Sequence, residues 1–170
     1  YEFLLDNMLI QNNLIRSAHE NDIEKFIFLG SSCIYPKMAN QPIKEEYLLT
    51  GPLEPTNEWY AIAKISGVKL IEALRKQYAR DYVALMPTNL YGPNDNFDLK
   101  TSHVLPAMIR KFHEAKENNH SKVTLWGSGS PLREFLHVDD LGQAVLFALE
   151  HKLDEKLYNV GSGSDLSIKA

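Results

Sequence analysis

The sequence predicts an α/β protein built on a doubly wound, mostly parallel sheet, and three observations support that fold class. Helix-like and strand-like apolar patterns alternate along the chain. The strand-like runs are short and continuously apolar, which is typical of strands that helices cover on both faces. Polar and reactive side chains follow these runs, at the strand ends where open parallel sheets bind ligands.

The first half of the chain alternates between helix and strand patterns. In order, it predicts a helix over about Asp6–Asn21, a strand over Phe26–Leu29, a helix from Thr56–Glu58 to Tyr78 and a strand over Tyr82–Met86. Residues 30–57 include four prolines, which predict a long loop between the first strand and the second helix. Because long loops inside a domain are usually functional, this loop is a candidate part of a binding site.

The second half continues the alternation with shorter elements. Pro87 ends the second strand, and Gly92 and Pro93 predict a loop over residues 88–93. The patterns that follow predict a helix over Val104–Asn118, a strand near Lys122–Leu125, a turn at Gly127–Ser130, a strand over Glu134–Val138, a helix from Asp139 to about Glu150 and a strand over Leu157–Val160.

Composition and charge exclude several classes of protein. The 170 residues carry a formal net charge of -4, so no overall basic field favours nucleic acid or an anionic membrane. The apolar runs are too short to span a bilayer. The single cysteine, Cys33, excludes an intrachain disulfide framework and a cysteine-rich zinc site, and we predict no metal site. Because a lone cysteine suits a reducing compartment, we expect a cytoplasmic protein.

Tyr60 and Lys64 have the spacing of two residues on one face of a helix. A phenol with a pKa of about 10 is a weak catalyst at neutral pH, and we expect a lysine one turn away to favour its phenolate by charge proximity. The same spacing also occurs by chance on many helix surfaces. The hydroxyl of Ser31, at the end of the first strand, strengthens the catalytic interpretation, because the three groups together can polarise a carbonyl and protonate its oxygen.

This combination resembles the extended short-chain dehydrogenase/reductase superfamily, and five stretches narrow the resemblance. They are similar to the GDP-L-fucose synthases, in order and over nearly the whole chain: "FLGSSCIYP", "PLEPTNEWYAIAKISG", "MPTNLYGPNDNF", "SHVLPAMIRKFHEA" and "WGSGSPLREFLHVDD". The resemblance implies a Rossmann-like sheet, NADPH as the hydride donor and a homodimer. It also implies a nucleotide-sugar substrate, with 3,5-epimerisation and 4-keto reduction of GDP-4-keto-6-deoxy-D-mannose to GDP-L-fucose.

The resemblance further implies roles for individual residues. Ser31, Tyr60 and Lys64 would reduce the ketone, while Cys33 and His103 match the acid–base pair that epimerises C3 and C5. The implied cofactor contacts are Leu29, Gly30, Ser31, Ser32, Lys64, Pro87, Thr88, Asn89, Leu90 and His103. The implied substrate contacts are Lys111, Trp126 and Arg133.

Several of these residues have a simpler alternative. Cys33 could be an inert buried thiol, and His103 could be a helix-start residue without chemistry. Arg133 could be a solvated charge and Trp126 a core aromatic. Lys111 stands where the resemblance leads us to expect arginine, and lysine offers a diphosphate only a point charge.

Two features set this chain apart from the pattern it resembles. It contains no Gly-x-Gly-x-x-Gly motif, and Tyr1 is not an initiator methionine. We therefore expect a fragment that lacks the N-terminal glycine-rich βαβ part and the C-terminal part of the substrate lobe. Residues 1–170 would form one partial domain, in which about 1–100 complete the NADP-binding sheet and about 101–170 supply a mixed sheet and substrate-binding elements.

Two alternative functions stay open. The first is another nucleotide-sugar epimerase or dehydratase of the same superfamily, although a dehydratase would be expected to carry acidic residues in place of Ser32 and Cys33. The second is a catalytically inactive module that binds or dimerises through the apolar helices near Asp6–Asn21 and Glu58–Tyr78. The stoichiometry of NADPH consumption distinguishes a reductive synthase from the first alternative. The effect of Tyr60→Phe on activity distinguishes an enzyme from the second alternative.

Overall fold

The computed structural model describes residues 1–125 and 127–170, and these residues divide into two compact units. Unit 1 comprises Tyr1–Thr88 and Leu141–Val160, and unit 2 comprises Asn89–Asp140 and Gly161–Ala170. The predicted division, in which about 1–100 bind the cofactor and about 101–170 bind the substrate, is defined by the ligands and not by compactness. It stays a prediction.

The described residues form four α-helices and six strands. In chain order they are α1 (Glu2–Glu20), β1 (Lys25–Leu29), α2 (Glu58–Tyr78), β2 (Asp81–Pro87), β3 (Asn89–Tyr91), α3 (Val104–Glu117), β4 (Leu132–His137), α4 (Val138–Glu150), β5 (Leu157–Val160) and β6 (Asp165–Ser167). Short 3-10 turns lie at Ser32–Ile34, Glu45–Tyr47 and Pro55–Asn57. No helix in this part of the chain is both long and apolar enough to cross a membrane.

Unit 1 contains a parallel sheet with the strand order β1-β2-β5. Leu29 of β1 is the register partner of Leu85, and Ala84 is the partner of Leu157 in β5. The three strands therefore end at one edge of the sheet, where the sequence places its polar side chains. The predicted parallel sheet is confirmed.

Helices cover both faces of this sheet because the side chains of β2 alternate between them. Tyr82, Ala84 and Met86 pack with residues of α1 and α2 in one buried cluster. Val83 and Leu85 pack on the opposite face in a second cluster, to which α4 contributes. Continuous apolar strands with helices on both faces are the doubly wound arrangement that the sequence predicts.

Helices α1 and α2 lie closely packed in unit 1. The Gln11 side chain is buried and donates to the Ala63 carbonyl at 2.6 Å and to the Ser66 hydroxyl at 2.8 Å. A Cβ atom on Gly67 would lie 2.5 Å from the Phe28 ring, so only glycine allows this approach of α2 to β1. This packing fixes the height of α2 above the end of β1.

Unit 2 contains a small mixed sheet with the order β3-β4-β6. Strand β3 is parallel to β4, and β6 is antiparallel to it. The prediction of a loop over residues 88–93 is wrong for Asn89–Tyr91, because pairing with β4 outweighs the local turn signals of Gly92 and Pro93. Strand β6 was not predicted at all.

The predicted strand near Lys122–Leu125 is also wrong. These residues carry no regular secondary structure, and no described strand pairs with them. A strand is stable only where its backbone groups have ladder partners. The Thr124 carbonyl instead accepts a hydrogen bond from the Lys111 side chain at 3.2 Å.

Candidate active site

The candidate site begins where β1 ends. The Gly30 amide donates to the Leu85 carbonyl at 2.9 Å, which keeps the chain against β2 for one more residue. A Cβ atom at Gly30 would clash with the end of the Met86 side chain, which would have to move to admit a larger residue. Ser31 then caps the turn Ser32–Ile34, because its hydroxyl accepts from the Cys33 amide at 3.4 Å.

The start of α2 brings Tyr60 and Lys64 to this turn. The Lys64 ammonium donates to the Leu29 carbonyl at 3.0 Å. It lies 5.6 Å from the centre of the Tyr60 ring and 5.1 Å from the centre of the Phe28 ring. The two residues thus share the helix face predicted from their spacing, and that face is turned towards the end of β1.

The Cys33 thiol is half-buried within the same group of side chains. Burial raises its pKa above the ordinary value, because removal from water disfavours the thiolate. The hydroxyl of Ser31 and the charge of Lys64 act on this pKa in the opposite direction, by less than burial does.

The two ionisable groups of α2 differ from the expectation. Burial raises the pKa of Tyr60, and the nearby Cys33 adds to that rise. Burial lowers the pKa of Lys64, and Cys33 opposes that change. The pKa of Tyr60 therefore moves in the direction opposite to the one expected from Lys64 alone, because desolvation is the larger effect.

The long loop after Cys33 is hydrogen-bonded to β5. The buried Tyr35 donates its hydroxyl proton to Asn159 at 2.6 Å. The Asn159 amide side chain donates to the Ile43 carbonyl at 3.0 Å, and its backbone N–H donates to the Glu45 carboxylate at 2.7 Å. Three points of residues 30–57 are thereby held at the carboxyl edge of the unit 1 sheet.

The implied cofactor contacts divide between the two units. Leu29–Ser32, Lys64, Pro87 and Thr88 lie in unit 1, at the ends of β1 and β2 or on α2. Asn89, Leu90 and His103 lie in unit 2. The Asn89 side chain donates to the Glu134 carbonyl at 2.9 Å, so it helps to hold β3 against β4.

Two candidate residues of unit 2 lie at or next to helix α3. His103 precedes the first turn of α3 and is exposed, and its carbonyl accepts from the Ala107 amide at 3.1 Å. Lys111 lies on α3 and donates to the Thr124 carbonyl at 3.2 Å. Together with Glu114 it lines a cavity of about 240 Å³. The location of His103 agrees with its helix-start alternative, and its catalytic role stays a prediction.

Another candidate residue of unit 2 lies on β4. Arg133 lies on β4 with its side chain exposed, and one guanidinium N–H donates to the Leu132 carbonyl at 2.7 Å. Trp126 lies outside the described residues. Elsewhere in the chain, over 1–125 and 127–170, the His, Cys, Asp and Glu side chains form no group of three or more that could hold a metal ion.

Sequence reasoning overlooks one contributor to the site. The sequence predicts only a strand at Asn159, although this residue anchors Tyr35. The fold alone shows this contact, because the two residues are distant in sequence.

The comparisons with known proteins identify the family of the chain. The family model described as "NAD dependent epimerase/dehydratase family" matches residues 1–161. The chain is 57% identical to GDP-L-fucose synthase 1 of Arabidopsis thaliana, covering 99% of this chain and 52% of that protein. It is 53% identical to GDP-L-fucose synthase of Escherichia coli (strain K12), covering 99% and 55% respectively.

A solved structure shows the same fold. The crystal structure of a GDP-L-fucose synthetase from Naegleria fowleri bound to NADP has a TM-score of 0.85 and 30% identity, covering 95% of this chain and 53% of that chain. The chain spans about half the length of the curated relatives it matches. These matches confirm the resemblance that the five sequence stretches predict.

Proposed function

The chain belongs to the NAD dependent epimerase/dehydratase family, and from that premise we propose that it acts as a GDP-L-fucose synthase. The proposed reaction is the NADPH-dependent 3,5-epimerisation and 4-keto reduction of GDP-4-keto-6-deoxy-D-mannose. The observation that carries the proposal is the convergence of Ser31, Cys33, Tyr60 and Lys64 at the carboxyl end of β1.

The reduction needs a proton for the ketone oxygen, and Tyr60 is its proposed donor. Burial keeps the pKa of this phenol above its ordinary value, so the hydroxyl carries its proton at neutral pH. The Ser31 hydroxyl would donate a hydrogen bond to the same oxygen and polarise the carbonyl. After the proton has left, the Lys64 ammonium beside the ring would stabilise the phenolate.

The epimerisation needs an acid and a base on opposite faces of the sugar. A proton on a carbon next to a ketone is acidic because its removal gives an enolate, whose oxygen Ser31 and Tyr60 would stabilise. Cys33 and His103 are the proposed pair. Cys33 is supported by its place in the turn capped by Ser31, and His103 by the sequence match alone.

The residues at the end of β1 fit a nicotinamide nucleotide. Lys64 has three N–H groups and gives one to the Leu29 carbonyl, which leaves others for a ribose hydroxyl. Ser31 and Ser32 carry hydroxyls directly after the same strand, and Ser32 is exposed. NADPH, when bound, supplies the hydride for the ketone carbon. We propose that it is held by Leu29, Gly30, Ser31, Ser32, Lys64, Pro87, Thr88, Asn89, Leu90 and His103.

Cationic residues of unit 2 are the proposed contacts of the nucleotide-sugar diphosphate. The exposed Arg133 donates one N–H to a backbone carbonyl, and the rest of its guanidinium can bind phosphate oxygens in pairs. Lys111 would add a single positive charge, and Trp126 would pack on the ligand.

An apolar face of α1 supports a proposed homodimer. Phe3, Leu9, Ile10 and Leu14 are 59%, 49%, 62% and 58% exposed, and Trp59 at the start of α2 is 60% exposed. Monomeric proteins rarely expose so many neighbouring apolar side chains. We propose that two copies pair through α1 and α2. A cytoplasmic location is also proposed, because a reduced Cys33 suits that compartment.

The full-length protein, incubated with GDP-4-keto-6-deoxy-D-mannose and NADPH in D2O, tests the proposed function. We expect one NADPH oxidised per GDP-L-fucose formed and deuterium at both C3 and C5. Reduction without deuterium at either carbon would remove the roles of Cys33 and His103. A 4-epimer or a dehydrated product without net NADPH consumption would identify one of the related enzymes instead.

A further inference from the structure

The short turn that carries Cys33 is fixed at its two ends by different elements. Its first end is fixed by the sheet, because the amide of Gly30 donates to a carbonyl of β2. Its other end is Tyr35, whose amide donates to the Ser32 carbonyl at 3.4 Å. A bond of that length lies beyond the usual range for a backbone N–H, so the turn holds its far end only weakly. The position of that end therefore depends on the Tyr35 side chain.

The Tyr35 side chain extends to β5, which is the second strand from β1 in the sheet. Tyr35 is 4% exposed, and its hydroxyl donates to the Asn159 carboxamide oxygen at 2.6 Å. Asn159 is the register partner of Met86, one residue beyond the last register pair of β1. Burial raises the pKa of the Tyr35 phenol, and the charge of Glu45 adds to the rise. The hydroxyl therefore keeps the proton that it donates.

Asn159 is held so that its carboxamide oxygen faces this hydroxyl. Its side-chain N–H donates to the Ile43 carbonyl at 3.0 Å, and its backbone N–H donates to the Glu45 carboxylate at 2.7 Å. These two bonds fix the direction of the carboxamide. Asn159 is itself exposed at the edge of the sheet, so hydrogen bonding, and not burial, accounts for an amide at this position.

We propose that Tyr35 and Asn159 are positioning residues for Cys33: the hydrogen bond between them fixes the far end of the turn, and thereby the direction of the thiol. The proposal rests on the proposed function for the step that Cys33 performs. It also separates the two steps of that function, because Tyr60 and Lys64 lie on α2 and not on this turn. Loss of the bond should therefore impair epimerisation more than reduction.

The test measures the deuterium incorporated at C3 and C5 per NADPH oxidised, with the full-length protein and the 4-keto sugar nucleotide in D2O. Tyr35→Phe keeps the ring and removes the bond, so the ketone should be reduced before both carbons are inverted. The ratio should fall about three- to tenfold, as expected for the loss of one hydrogen bond. A general loss of folded enzyme would lower both rates and leave the ratio unchanged. Tyr47→Phe, at a partly buried tyrosine of the same loop, should keep the parent ratio.

Asn159→Leu removes the acceptor and leaves the Tyr35 hydroxyl without it. A buried donor that has lost its partner costs more than the absence of both groups. The double variant Tyr35→Phe, Asn159→Leu should therefore have a higher ratio than Asn159→Leu alone. Equal ratios in the parent and Tyr35→Phe, or effects that simply add in the double variant, would overturn the proposal.

Alkylation of Cys33 by iodoacetamide, followed by peptide mass spectrometry, tests the positioning without substrate. The half-buried thiol should react about three- to tenfold faster in Tyr35→Phe, because the loosened turn opens more often. An unchanged alkylation rate would also overturn the proposal. Faster alkylation in Tyr35→Phe, together with a parent protein that incorporates no deuterium, would establish the positioning and overturn instead the role of Cys33 in the proposed function.

Discussion

The Tyr60 phenol owes its chemical character to its surroundings more than to its neighbour Lys64. Its ring is half-buried and lies 5.8 Å from the Phe3 ring, in a tilted arrangement. Burial and the charge of Cys33 both raise its pKa. A phenol in this state is a proton donor at neutral pH, which is what the reduction of a ketone requires.

Tyr60→Phe should abolish most of the ketone reduction. The variant keeps the ring and loses only the hydroxyl that would donate the proton, and positioned acid–base groups contribute about 10²- to 10⁴-fold to rate. NADPH oxidation by the full-length protein measures the loss. Tyr78→Phe, at an exposed tyrosine of the same helix, is the matched control. Equal rates for Tyr60→Phe and the parent would leave the chain as a binding or dimerisation module.

The positions of the four central side chains could be predicted from the sequence, but their ionisation could not. Tyr60 and Lys64 share a face because of helical periodicity, and Ser31 and Cys33 follow a strand. Both rules are local. The pKa directions depend on burial, which only the packed structure shows.

At the scale of elements, the approach of α2 to β1 depends on a glycine. Gly67→Ala would gain helix propensity, but its Cβ would lie 2.5 Å and 2.9 Å from two Phe28 ring atoms. We expect it to lower the free energy of unfolding by about 1–3 kcal/mol, as overpacking does.

Gly142→Ala on α4 is the matched control, because no described heavy atom lies within 4 Å of the added Cβ. It should raise the free energy of unfolding by about 0.5–1 kcal/mol. Urea denaturation measures both changes. Changes of the same sign in the two variants would contradict the packing described for α2.

The loop over residues 30–57 is held by the bond from Tyr35 to Asn159, so Tyr35→Phe should loosen it. Loss of one buried hydrogen bond costs about 1 kcal/mol, which corresponds to roughly fivefold faster amide exchange. Hydrogen–deuterium exchange over residues 35–47 measures this. Tyr47→Phe, in the same loop, is the control. Unchanged exchange in Tyr35→Phe would show that the other contacts of the loop hold it without this bond.

The same bond gives an alkaline pH dependence. Burial and the charge of Glu45 raise the pKa of Tyr35 above its ordinary value of 10.0. A raised pKa in the folded state means that the stabilising effect is complete below pH 10 and is lost as the pH rises towards the folded-state value. The gap in urea midpoint between the parent and Tyr35→Phe should therefore shrink above pH 10. A gap that widens there would contradict the assigned direction.

Prediction of the elements succeeded where their signal is local. The strands β1, β2 and β5 are continuous apolar runs, and α2 has a marked start and a long apolar period, so their bounds agree within a few residues. Strands β3 and β6 have three residues each and depend on pairing with β4. Residues 122–125 show the opposite case, an apolar pattern without a strand.

At the scale of the whole molecule, the exposed face of α1 predicts self-association. Ile10→Glu would place a charge on that face, and it should convert a dimer to a monomer in sedimentation equilibrium. Leu146→Glu, at a half-exposed position of α4, should leave the mass unchanged. A parent protein that sediments as a monomer would remove the proposed dimer, although the catalytic proposal would stand.

The most direct measurement is a crystal structure of the full-length protein with NADP and the 4-keto sugar nucleotide bound. The account predicts the C4 oxygen within hydrogen-bond distance of the Tyr60 and Ser31 hydroxyls, with the Cys33 sulfur facing C3 or C5. A sugar bound elsewhere, with no atom of its ketone near these three side chains, would contradict it.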